Sequence, residues 1–253
     1  MPLELVTLPC LTDNYAFVLH DAKSGQTAAI DVPDAAPILA EVRRRGWQLT
    51  DILLTHHHDD HIQGVAALQS ATGARVTGAA ADAHRLPPLD RAVAEGDRVA
   101  LGSHSLRVIE VPGHTVGHIA FVTEGYAFTG DSLMAGGCGR LFEGTAAQMW
   151  DSLQKLAQLP DETWVCSGHE YTAANLRFAA SLDAQNPALA GRIAKVAAAR
   201  AEGRATVPSR LGGEKATNIF LRAAESTVRA AIGLPDAPPA EVFAELRARK
   251  NRF

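Results

Sequence analysis

The chain is poor in cysteine and aromatic residues, and it has no long hydrophobic run. Its three cysteines, Cys10, Cys138 and Cys166, are odd in number and form no C-x-x-C pair. This argues against a disulfide framework and for a reducing compartment. No apolar stretch approaches the ~20 residues needed to span a bilayer. The opening Met1-Pro2-Leu3-Glu4 has neither the basic nor the apolar segment of a signal peptide. A cytoplasmic protein without a membrane partner is expected. There is also no basic stripe: the formal net charge is −4, and the clusters at 43–45 and 247–252 read as solvated helix faces. Nucleic-acid binding is therefore not expected, and no obligate protein partner is implied. Histidine is what the chain has in quantity, ten residues, several of them clustered.

About half of the 253 residues are apolar, enough for one large domain or one with a smaller companion. Short apolar runs at 3–8, 14–20, 26–31, 51–55, 105–111, 118–123, 126–129 and 163–166 predict strands. Helices are expected at 37–45, 65–71 and from Thr145, where Thr145-x-x-Gln148 is a capping-box signature, to about 159. Beyond His169 the texture turns helical. Residues 172–182 are amphipathic, Asn186-Pro187 supplies an N-cap with proline at the first helical position, and a last helix covers 239–250. No strand is read past His169. The expectation is an α+β domain over 1–169 and an all-α domain over 170–253.

Thr55-His56-His57-His58-Asp59-Asp60-His61 directly follows the apolar Ile52-Leu53-Leu54 and reads H-x-H-x-D-H. Residues two apart in extended chain share a side, so His56 and His58 can grip one ion. Asp60 and His61, on the turn that follows, can face a second. Imidazole and carboxylate suit zinc, iron, manganese or cobalt. Three more segments place a ligand type where a strand meets a loop: Pro112-Gly113-His114-Thr115-Val116-Gly117-His118, Phe128-Thr129-Gly130-Asp131 and Ser167-Gly168-His169. Each is weak alone and strong in this order. His57 and Asp59 alternate with the ligands and should point away. His20, His84 and His104 have no supporting context and are expected at the surface.

These motifs resemble the metallo-β-lactamase superfamily, which implies a four-layer αβ/βα sandwich with metals at one edge. By that resemblance His56, His58 and His114 hold a first ion, Asp60, His61 and His169 hold a second, and Asp131 bridges both. His118 is then a supporting residue and not a ligand. Two ions, zinc first and iron or manganese next, share a hydroxide that acts as the nucleophile, with Asp60 and Asp131 as the catalytic carboxylates.

Within the superfamily the chain resembles the glyoxalase II, or hydroxyacylglutathione hydrolase, family. The likeness covers Thr12-Asp13-Asn14-Tyr15, Thr129-Gly130-Asp131-Ser132-Leu133, Gly137-Cys138-Gly139-Arg140-Leu141-Phe142-Glu143-Gly144-Thr145, Gly168-His169-Glu170-Tyr171-Thr172, Asn218-Ile219-Phe220-Leu221-Arg222 and the closing Leu246-Arg247-x-x-Lys250-Asn251-x-Phe253. It implies hydrolysis of a glutathione thioester, typically S-D-lactoylglutathione to D-lactate and glutathione. It further implies substrate contacts from Arg140, Phe142, His169, Tyr171, Arg247 and Lys250. Arg247 and Lys250, three apart, share one helix face and suit the carboxylates of glutathione. Phe142 stands where the family often has Tyr, Ile219 where it has Pro, and Asn251 where it has Asp. Cys138, in a glycine-rich turn, reads as structural. The rival readings are another hydrolase of the superfamily, such as a lactonase, a glutathione persulfide dioxygenase, or a non-catalytic binding module that has lost ligands.

Overall fold

The computed structural model describes residues 3–253; Met1 and Pro2, the first half of the opening Met1-Pro2-Leu3-Glu4, lie outside the described residues. The chain forms two compact units: one runs through Glu110 and includes Gly117–Gly130, the other comprises Val111–Val116 and Asp131–Phe253.

The first unit contains β1 (Glu4–Cys10), β2 (Asn14–His20), β3 (Gln26–Ile30), α1 (Ala35–Arg45), β4 (Gln48–Leu53), the one-turn α2 (Asp59–Ile62), α3 (Val65–Thr72), β5 (Arg75–Ala79), β6 (Arg91–Val93), β7 (Arg98–Leu101), β8 (His104–Glu110), β9 (Ile119–Thr123) and β10 (Tyr126–Gly130). One sheet runs β1 to β6 in sequence order. Its first three strands pair antiparallel, and β3 to β6 pair parallel. Parallel neighbours need a crossover, supplied by α1 and by α3. Strand alternation sends Ala16, Val18, Ile52 and Leu54 into one core with Ile38 and Val42 of α1 and Val65 and Leu68 of α3. The opposite face of β2 carries Phe17, whose ring meets Phe128 of β10 edge-on at 5.7 Å. Phe128 belongs to the antiparallel run β7-β8-β9-β10.

The second unit contains β11 (Leu133–Met134), β12 (Gly137–Cys138), α4 (Ala146–Ala157), β13 (Trp164–Ser167), α5 (Thr172–Leu182), α6 (Pro187–Ala201), β14 (Ser209–Arg210), α7 (Leu211–Thr217), α8 (Ser226–Ala231) and α9 (Pro239–Arg252). The expected capping box forms, with Thr145 and Gln148 bonding reciprocally. Asn186 caps α6 with Pro187 at its first position.

The reading that no strand follows His169 needs correction. Ser209 and Arg210 pair antiparallel with Val165 and Trp164, and the Arg210 guanidinium lies 3.8 Å from the Trp164 ring centroid. Two residues with a polar sequence carry no alternation signal, so tertiary pairing alone makes this strand. Strands β5, β6 and β7 were also unread, because charged or glycine residues break their short apolar runs. His20 is not at the surface: it is buried, stacked on Trp47 at 4.1 Å and bonded to Thr27 Oγ1 at 2.9 Å. His104 is half-buried, 4.0 Å from Asp21, whereas His84 is exposed. Among the described residues no helix is long and apolar enough to cross a membrane.

Candidate metal centre

In the first unit β4 delivers Thr55 and His56 at its end, and α2 presents Asp60 and His61 after the extended His58. Asp31, just past β3, organises this segment. Its Oδ1 accepts from Thr55 N at 2.8 Å, and its Oδ2 from Thr55 Oγ1 at 2.8 Å. His61 Nδ1 lies 2.8 Å from the same Oδ2 and donates to that carboxylate. Because the Thr55 hydroxyl proton is committed to Asp31, its oxygen accepts from His56 Nδ1 at 3.0 Å. Both imidazoles are thereby fixed with Nδ1 protonated and the Nε2 lone pair available to a metal. Asp31, His56 and His61 each place a ligand atom within 4.8 Å of the others. His56 Nε2 and His58 Nδ1 are 3.1 Å apart, close to the ~3.3 Å separating two imidazole nitrogens on one tetrahedral ion. Asp60 is steadied by Asn14, whose Nδ2 donates to both its Oδ2 and its backbone carbonyl at 3.0 Å.

His57 points elsewhere, to Asp82 Oδ2 at 3.1 Å, and Asp59 is exposed. His118 is fully buried with its ring stacked on His56 at 4.7 Å.

In the second unit Asp131 Oδ2 lies 3.5 Å from His114 Nε2 and 3.3 Å from His169 Nε2, so one carboxylate oxygen faces two imidazoles. All three residues are buried. His114 Nδ1 donates to Arg140 O at 2.8 Å, which leaves its Nε2 lone pair free. The approach requires Gly139: a Cβ there would sit 2.0 Å from Asp131 O and 2.9 Å from His114 Nδ1. The donor set therefore fits divalent metal: imidazoles, of which His56, His61 and His114 are buried with Nε2 left free, carboxylates beside them, and no thiolate among them.

The substrate contacts expected from sequence are all in the second unit. The Phe142 ring is 63 % exposed and lies 5.2 Å from His114. Tyr171, partly exposed, stacks on His169 at 4.7 Å. Arg140 is exposed. Arg247 is only 5 % exposed, which its place on a charged helix end did not suggest. Its Nη1 donates to Cys138 O at 2.9 Å, its Nε to Asn251 Oδ1 at 3.1 Å, and its guanidinium lies over Phe220. Lys250 is half-buried and donates to Ala174 O at 3.0 Å. Burial pushes the Cys138 thiol up, against the opposing pull of Arg247, so it is no ready nucleophile. Sequence reasoning missed Asp31, Thr55 and Asp82. Their only signal is an acidic or hydroxyl residue at a strand end, which is too common to single out.

Comparison with known proteins agrees with this geometry. Residues 21–169 match the family model of the metallo-beta-lactamase superfamily, which defines the class of fold and site. Residues 170–253 match the model described as hydroxyacylglutathione hydrolase C-terminus. A hydroxyacylglutathione hydrolase of Cereibacter sphaeroides is 66 % identical over the full length of both chains. The solved ETHE1 from Myxococcus xanthus superposes with a TM-score of 0.68 at 26 % identity, covering 99 % of this chain and 92 % of its own. TTHA1623, solved in a di-iron-bound form, gives a TM-score of 0.57 at 31 % identity over 65 % of this chain and 90 % of its own. The chain belongs to the hydroxyacylglutathione hydrolase (glyoxalase II) family, and it is a metal-binding hydrolase with the metallo-β-lactamase fold and a helical C-terminal segment.

Proposed function

We propose that this glutathione-thioester hydrolase works with two divalent ions and cleaves S-D-lactoylglutathione to D-lactate and glutathione. His56, His58 and His114 would hold one ion, Asp60, His61 and His169 the other, and Asp131 both. The observation that carries the reading is Asp131 Oδ2, set within 3.5 Å of the Nε2 atoms of two histidines assigned to different ions. When bound, such a pair lowers the pKa of water to near neutrality and polarises the substrate carbonyl. The nitrogen and oxygen donors suit zinc, and equally iron, the metal of the solved TTHA1623 form.

The chain's own residues hold and orient. Asp31 keeps His56 and His61 in the tautomer a metal needs, and Arg140 O does so for His114. The leaving thiolate has a conjugate acid of pKa about 8.5, so no dedicated proton donor is required. Residues 170–253 act as the substrate-binding domain, with Tyr171, Arg247 and Lys250 joining Arg140 and Phe142. Phe142 offers an apolar edge where a tyrosine would also donate. Arg247 spends two donors on Cys138 O and Asn251, so it both braces the β12 turn and lends its charge to the substrate. Three free, buried cysteines support a reducing, cytoplasmic setting.

The test compares metal content and S-D-lactoylglutathione turnover in the wild type and Asp131→Ala. The wild type should carry two ions per chain and lose activity to chelator. Asp131→Ala should retain at most one ion. Its kcat should fall more than the roughly 10–100-fold seen when only a supporting residue is lost. A variant with two ions and near-normal turnover would sink the bridging assignment.

A further inference from the structure

In the second unit four cations, Lys250, Arg247, Arg177 and Arg140, gather, and none of them is ion-paired with an Asp or Glu side chain among the described residues. Lys250 Nζ donates to Ala174 O, which lays the last turns of α9 on the first turn of α5. Its ammonium lies 5.4 Å from the Phe178 ring centroid and 5.2 Å from that of Phe253. Arg177 is the exposed neighbour of Phe178, one turn beyond Ala174. Arg247 is one turn before Lys250 and holds Cys138 O, two residues from Arg140. Burial, and then the charges of Arg247, Arg177 and Arg140, bring Lys250 down to about 8.

Neither Arg177 nor the Arg140 side chain makes a hydrogen bond or ion pair among the described residues. Several other cations of this unit have a carboxylate partner. Arg192 pairs with Glu214, Arg200 with Glu170, Lys215 with Asp161, Arg222 with Asp183 and Glu225, and Arg249 with Glu245. Leaving four cations uncompensated costs self-repulsion, which an anionic ligand would relieve. The chain as a whole is negative, at −4, so an anionic substrate is drawn to this patch and repelled elsewhere. One carboxylate needs one or two cations, whereas glutathione brings two carboxylates.

We infer that Arg177 is a specificity-determining residue that selects thioesters of carboxylate-bearing thiols, acting with Lys250, Arg247 and Arg140. The inference rests on the glutathione-thioester reading and adds to it a residue outside the motifs that suggested it. Arg177 is exposed, so its contact is a modest one that shows most in salt dependence.

The experiment uses metal-loaded wild type, Arg177→Gln and Arg177→Lys with S-D-lactoylglutathione and with the uncharged S-lactoyl-N-acetylcysteamine. Arg177→Gln should raise KM for the glutathione thioester about two- to fivefold with kcat kept, and flatten its dependence on ionic strength. Arg177→Lys should restore both, and KM for the uncharged thioester should not move. Wild-type KM and salt dependence in Arg177→Gln, or an equal rise with both substrates, would overturn the assignment. Calorimetric binding of free glutathione reads Arg177 without turnover: weaker binding by Arg177→Gln supports it, equal binding refutes it. A wild type that binds glutathione but does not hydrolyse the thioester defeats the functional reading and leaves the assignment of Arg177 standing.

Discussion

Asp31 is one of two described non-glycine residues with positive φ, at 55°. Aspartate tolerates this left-handed conformation better than most residues. The turn of the chain aims one carboxylate at Thr55 and His61 together, so a single side chain fixes the tautomers of two proposed ligands. Lys250 shows the opposite economy, a cation held near other cations and partly out of water. With its ammonium brought down to about 8, chiefly by burial and then by Arg247, Arg177 and Arg140, it is charged below that pH and increasingly neutral above it. If it meets a glutathione carboxylate, KM for S-D-lactoylglutathione should rise as pH passes from 7 to 9. The same rise should be absent in Lys250→Gln and for an uncharged thioester. A KM that climbs equally in Lys250→Gln would place the titrating group elsewhere. The ligand types were legible because H-x-H-x-D-H concentrates rare residues at a strand end. Asp31 and Asp82 were not, because a single aspartate carries no period or spacing until the fold shows what it touches.

The turn between β11 and β12 is too short to stabilise itself and is held from outside. Glu214, fully buried in α7, accepts from Gly136 N at 2.8 Å, Ser209 Oγ at 2.6 Å and Asn218 Nδ2 at 3.2 Å, and pairs with Arg192. Asn218 in turn donates to Gly137 O at 2.9 Å. This network fixes the hairpin that leads into Gly139 and Arg140. Glu214→Ala would remove the carboxylate that serves the partly buried Arg192 and three further donors, Gly136 N, Ser209 Oγ and Asn218 Nδ2. It should lower unfolding stability by roughly 3–5 kcal/mol, the usual cost of removing one member of a buried pair. Urea denaturation with the midpoint read against wild type checks this; a loss below 1 kcal/mol would mean that water replaces the carboxylate. The longer helices were legible from caps and amphipathicity, as Thr145 and Asn186 show. The two-residue strands β11, β12 and β14 were not, since their existence depends on partners far along the chain and on charges such as Glu214 that a hydrophobic pattern assigns to the surface.

At the scale of the whole molecule, the proposed ligands span residues 56 to 169, and an unfolded chain cannot gather them. Metal binding free energy is therefore folding free energy. At a free metal concentration 100 times Kd, one site adds about 2.7 kcal/mol. For a chain of this size that corresponds to a Tm increase of roughly 5–10 °C, at 2–4 °C per kcal/mol. Scanning calorimetry of the metal-loaded protein should show a Tm that falls by this order on exhaustive chelation and returns with added zinc. Two neighbours in sequence separate a metal effect from general loss of structure. His58→Ala removes a proposed ligand and should lose much of the zinc-dependent increment. His57→Ala removes the contact to Asp82 and a ring edge against His58 but no proposed ligand, and should keep the increment, even if its baseline Tm drops. Equal increments in both variants would show that His58 is not a ligand. A Tm indifferent to chelator and zinc in the wild type would show that the buried imidazoles and carboxylates are stable without metal, and the proposed centre would then have to be abandoned.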